Sequence, residues 1–108
     1  MEHNRRFTRV KFQTPLSYQV RGQGDLNHTL SDNISIGGLS FTNNRFIAPN
    51  TCLMLQVNVL SKIVRPVAKV SWVSSLARSD RYQFGVEFVE FDLQEKKHLV
   101  NYIDTRSI

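Results

Sequence analysis

A single cysteine, Cys52, stands in the 108-residue sequence, so no disulfide can form within the chain and an apolar core must hold the fold. Cys52 itself lies in the apolar stretch TCLMLQV and reads as a small core residue. No apolar run approaches the ~20 residues that span a bilayer, and no apolar segment follows the charged start as it would in a secretory signal. The expectation is a cytoplasmic chain without membrane insertion. Histidine is scarce too: His3, His28 and His98 share no ligand spacing, so no metal site is expected. A G-x-S-x-G elbow, a Walker loop, a dinucleotide fingerprint and an anchored carboxylate pair are all missing. The chain is therefore not read as an enzyme, and no cofactor is expected. Negative charge is the last deficit. Nine Asp and Glu against fourteen Lys and Arg leave +5, and nine of the fourteen cations are arginines. Guanidinium is planar, donates two parallel hydrogen bonds and stacks on rings, which suits bases and phosphates.

At 41% hydrophobic and 21% charged, the composition is that of a globular domain and not of a disordered chain. Nothing along it marks a linker or a repeat, so residues 1–108 read as one domain. Stretches rich in β-branched and apolar residues alternate with turn signals: PLSYQV, HTLSDNIS, LSFT, CLMLQVNVL, IVRPVAKVSWV and RYQFGVEFVEF. Within them Leu53, Leu55, Val57 and Val59 alternate, as do Phe84, Val86 and Phe88. This period of two predicts an all-β fold, about six antiparallel strands closed into a small barrel or sandwich over residues 13–91. Pro66 inside a strand-like run predicts an edge or a bulge there. The tail changes period. Asp92 with Glu95 three residues on is a capping-box pattern, and Leu99, Val100 and Ile103 lie on one helical stripe, with Leu93 ahead of them. A helix over 92–105 is expected, packed on the strands. Residues 1–12 read as a flexible arm.

The arm holds RRFTR, which spaces Arg5 and Arg9 four apart, and the corner after the second strand run holds NISIGG, or Asn33-x-Ser35-x-x-Gly38. Each is cheap alone, since arginines abound and Asn, Ser and Gly are ordinary turn residues. In this order, with KVSWV and FGVEF following, the chain resembles the PilZ family of cyclic di-GMP receptors over nearly its full length. The resemblance implies a six-stranded antiparallel split barrel with a C-terminal helix, and no catalysis. It also implies that Arg5 and Arg9 bind one stacked dinucleotide, a guanidinium pairing with guanine O6 and N7 or with phosphate. Asn33 would face the guanine N1–H and N2–H donors, and Ser35 a phosphate or the base. Gly38 would give the ligand room or adopt positive φ. Arg6, Gly37 and Trp72 are auxiliary candidates, although the strand setting of Trp72 favours a core position. Family members often carry Asp where this chain has Asn33. Asn keeps the acceptor and loses the charge, worth about 1 kcal/mol.

The partners so implied are cyclic di-GMP and an unidentified downstream protein, with motility, adhesion or exopolysaccharide secretion as the regulated process and a ligand-dependent dimer left open. One alternative is a small barrel that binds single-stranded nucleic acid through its charge and the aromatics Phe41, Trp72, Tyr82 and Phe84. Against it, the basic residues are thin on the strands. The other is a PilZ-like adaptor that has lost its ligand, against which the intact motif residues stand.

Overall fold

The computed structural model describes residues 8–106. Its elements are β1 (Val10–Lys11), β2 (Pro15–Val20), β3 (Leu26–Ser35), β4 (Gly38–Asn43), β5 (Cys52–Val59), β6 (Lys62–Val64), β7 (Val67–Ser75), β8 (Tyr82–Glu90) and α1 (Leu93–Arg106). Six strands close a ring in the order β3, β2, β5, β7, β8, β4 and back to β3, every pairing antiparallel. That ring is the expected barrel. The two short strands are additions: β1 pairs with the far end of β3, and β6 with the far end of β5. Pro66 has no N–H to donate and separates β6 from β7, while its carbonyl accepts from Leu55 N–H at 3.1 Å. The irregularity expected at Pro66 is there.

The period-two pattern fills the interior. Leu16 and Tyr18, the four alternating residues of β5, and Phe84 and Val86 of β8 are all buried, with Phe41 stacked on Phe84 at 5.1 Å between ring centroids. Cys52 departs from expectation: it is half-buried at the start of β5, because the inward face begins only at Leu53.

Helix α1 covers one end of the barrel. Asp92 caps it, its Oδ2 accepting from Glu95 N–H at 3.1 Å, so the helix starts one residue later than expected and runs to Arg106. Only half of the capping box forms. The Glu95 carboxylate accepts from Arg65 N–H at 2.6 Å, which ties the first turn to the β6–β7 link. The buried stripe is Leu99, Tyr102 and Ile103, whereas Val100 is half-buried and Leu93 exposed. His98 Nε2 donates to the Val59 carbonyl at 2.6 Å.

Residues 10–12, assigned to the arm, belong to the barrel. Val10 and Phe12 are buried, and Phe12 packs on Tyr102 at 4.9 Å between centroids. Phe12 N–H donates to the Asp32 carbonyl at 3.1 Å, and Thr14 Oγ1 donates to the Asn58 carbonyl at 2.7 Å. Two apolar side chains in a polar segment are enough to stitch it to the barrel from Val10 onward. Residues 1–7 lie outside the described residues, and Arg5 and Arg6 with them.

Burial pushes the Tyr18 phenol above its ordinary pKa, with the Asn43 side-chain hydrogen bond and the Arg45 charge opposing. A raised folded pKa means the native state holds this proton longer than the unfolded chain does. Its contribution to stability is therefore complete below about pH 10 and is lost as pH rises through the folded value. Urea unfolding of wild type and Tyr18→Phe should show the stability gap between them narrowing above about pH 10.

Candidate functional site

Two β-bulges aim the site. In β3, even-numbered residues Leu26, His28 and Leu30 face outward, and simple alternation would carry Ile34 outward as well. The register against β4 instead skips Asp32, pairing Ser31 with Phe41 and Asn33 with Ser40. The extra residue flips the parity, so Ile34 joins the core and Asn33 turns to the outer face. In β7, Val70 pairs with Val86 and Trp72 with Gly85, skipping Ser71. Trp72 is thereby moved to the outer face and Val73 takes the inward place. The result is one outward rung running Asn33, Ser40, Gly85, Trp72 across four strands. Trp72 is half-buried on this surface, not in the core where its strand setting had placed it.

Trp72 lies across Gly85. A Cβ there would stand 2.1 Å from the indole Nε1, so only glycine lets the ring lie flat on β8. Gly85 was not among the sequence-predicted residues, although a glycine in mid-strand is the usual sign of such an approach. Ser40, beside it in the rung, is buried, and its Oγ has no hydrogen-bond partner among the described residues.

Against this rung sits the hairpin Ser35–Gly38. Ser35 Oγ accepts from Gly37 N–H at 3.1 Å and donates to the Gly38 carbonyl at 3.3 Å, bracing the turn. Gly38 does not adopt the positive φ that was one of the two reasons expected for it. A Cβ there would meet the Val86 carbonyl oxygen at 2.0 Å. The close neighbour is the backbone of β8. Over the corner stands Arg9, whose Nη1 donates to Asn33 Oδ1 at 2.6 Å. The arm arginine and the corner, 24 residues apart in sequence, are thus in direct contact.

Arg9, the hairpin, Trp72 and Gly85 border an open cleft of about 430 Å³, and Asn33 is joined to it through its hydrogen bond with Arg9. Arg9, Ser35, Gly37, Gly38, Trp72 and Gly85 form its wall toward the hairpin, and Glu87, Glu90, Phe91 and Lys96 the wall toward the helix. The volume suits a small polar molecule, with a guanidinium fork and an indole face in the lining and the Asn33 amide held beside the fork. Among the described residues no cluster of His, Cys, Asp or Glu can hold a metal ion.

The sequence profile of the PilZ domain matches residues 3–105, nearly the whole chain. The chain belongs to the PilZ domain family. PilZ domains are receptor and adaptor modules and not enzymes. No curated protein sequence matches the chain. Among solved structures, the Bacillus subtilis inhibitor of motility MotI/DgrA superposes with a TM-score of 0.81 at 19% identity, over 94% of this chain and 50% of that one. The K. pneumonia MrkH–c-di-GMP complex gives 0.74 at 15% identity, over 94% of this chain and 51% of that one. The PilZ domain of Escherichia coli YcgR with c-di-GMP gives 0.73 at 9% identity, over 97% and 95%. At these identities the likeness concerns the fold. This PilZ domain spans about half the length of the MotI and MrkH chains. No helix among its described residues is long and apolar enough to cross a membrane.

Proposed function

We propose that this PilZ domain binds cyclic di-GMP in the cleft between the Ser35–Gly38 hairpin and α1, and that binding regulates a partner protein in the cytoplasm. The observation that carries the reading is the 2.6 Å contact of Arg9, which lines that cleft, with Asn33. It puts a guanidinium fork and an amide carbonyl side by side. Guanine presents O6 and N7 as adjacent acceptors, which match the fork, and N1–H and N2–H as donors, which match Asn33 Oδ1. Trp72 offers a flat face for a purine, and the Ser35 hydroxyl would reach a phosphate by exchanging the Gly38 carbonyl for a phosphate oxygen. Arg5, one motif step before Arg9, is assigned to the same dinucleotide by family resemblance. Drawing both arginines onto one ligand alters the surface around the start of the chain, and that surface is what a partner would sense. The solved relatives support the class of ligand, since the MrkH and YcgR PilZ structures contain c-di-GMP, and MotI is an inhibitor of motility.

Calorimetric titration of the full chain tests this. Cyclic di-GMP should bind with a dissociation constant in the micromolar range or tighter, while a single-stranded oligonucleotide at low salt should give a flat trace. No heat with cyclic di-GMP, or tight length-dependent oligonucleotide binding, sinks the receptor reading.

A further inference from the structure

The cleft has four charged residues in its lining, and they do not all favour an anion. Arg9 and Lys96 are positive, and Glu87 and Glu90 are negative. Without Lys96 the described lining would carry one net negative charge, a poor receptacle for a ligand with two phosphodiester anions. Lys96 comes from a different wall than Arg9. Arg9 is held to β3 through Asn33, and Lys96 stands in the first turn of α1, beyond the end of β8. Its backbone N–H is taken by the Asp92 carbonyl at 2.8 Å, but its exposed ammonium has no hydrogen-bond or ion-pair partner among the described residues.

A cation in the first turn is set against the helix dipole, which favours negative charge there. Glu95 partly offsets this, but its carboxylate is already committed to Arg65 N–H. An anion in the cleft would reverse the sign of the arrangement, meeting the helix's positive end and the Lys96 ammonium together. We infer that Lys96 is a phosphate contact of the cleft, so that the cation on the helix wall serves a phosphodiester of the same cyclic dinucleotide whose guanine meets Arg9 on the other wall. This rests on the receptor reading above and extends it to α1. The helix then belongs to the binding site, its first turn tied by Glu95 to the β6–β7 link.

The test is calorimetry with cyclic di-GMP on wild type, Lys96→Gln and Lys97→Gln. Lys97 is the neighbouring exposed cation on α1 and does not line the cleft, so it controls for net charge. Lys96→Gln should weaken binding roughly tenfold and flatten its salt dependence, with Lys97→Gln close to wild type in both. Both side chains are exposed, so both variants should melt as wild type does. If Lys96→Gln binds no differently from Lys97→Gln while wild type binds, the inference falls and the receptor reading stands. If wild type does not bind, both fall.

Discussion

Replacing Arg9 by alanine is expected to weaken cyclic di-GMP binding by about a hundredfold or more, while moving the melting temperature by no more than a few degrees. The affinity term follows from charge-assisted hydrogen bonds, worth about 1.5–3 kcal/mol each, of which a guanidinium fork makes two at once. Losing even ~2.7 kcal/mol is a hundredfold. The stability term is small because the Arg9 side chain is exposed and its one described hydrogen bond, to Asn33, is exposed as well. Arg9→Lys separates charge from shape: it keeps the positive charge in the cleft but not the planar fork. It should recover part of the electrostatic attraction and little of the guanine specificity, measured as the ratio of cyclic di-GMP to cyclic di-AMP affinity. Equal binding by wild type and Arg9→Ala, with both folded, would mean that the Arg9–Asn33 contact is a structural tie and nothing more.

The strands and the helix were legible because their signals are periodic and local. The alternation of β5 and the Asp92 cap needed no knowledge of the rest of the chain. The motif corner was legible as well, since Asn33, Ser35 and Gly38 are turn residues at a fixed spacing, and the fold brings Arg9 to them. What could not be read was which way residues face after a bulge. Alternation from Val70 puts Trp72 in the core, and only the extra residue at Ser71 turns it onto the site. The same holds at Asp32, where one unpaired residue decides that Asn33 turns to the outer face and Ile34 to the core. A bulge is set by the register of two strands together, so no window of one strand contains it. Lys96 was hidden for a related reason: its sequence neighbours place it on an ordinary solvated helix face, and only the packing of α1 on the barrel end makes that face a cleft wall. The burial of Val10 and Phe12 was obscured by the charges around them.

The largest effect on stability is expected at Gly38, and it decides why the motif contains a glycine. If the position existed to make room for ligand, Gly38→Ala would fold normally and fail to bind. The geometry says otherwise. An added Cβ would lie 2.0 Å from the Val86 carbonyl oxygen, 3.1 Å from its carbon and 3.3 Å from Glu87 Cα, all backbone of β8. No rotamer relieves such a contact. Strand β4 cannot simply shift, because Leu39 and Phe41 anchor its other face in the core and six residue pairs join it to β8, from Gly38–Glu87 to Asn43–Tyr82. Overpacking costs about 1–3 kcal/mol, and a backbone contact this short falls at the upper end. In a domain of this size that lowers the melting temperature by roughly 10–20 °C. Gly24→Ala is the matched control: its Cβ would meet nothing within 4 Å, its φ is not positive, and the change should leave the melting temperature level or slightly raised. Scanning calorimetry of the three proteins without ligand reads the difference directly. A Gly38→Ala protein that melts with wild type would return the glycine to the ligand and remove β8 from the account of the motif.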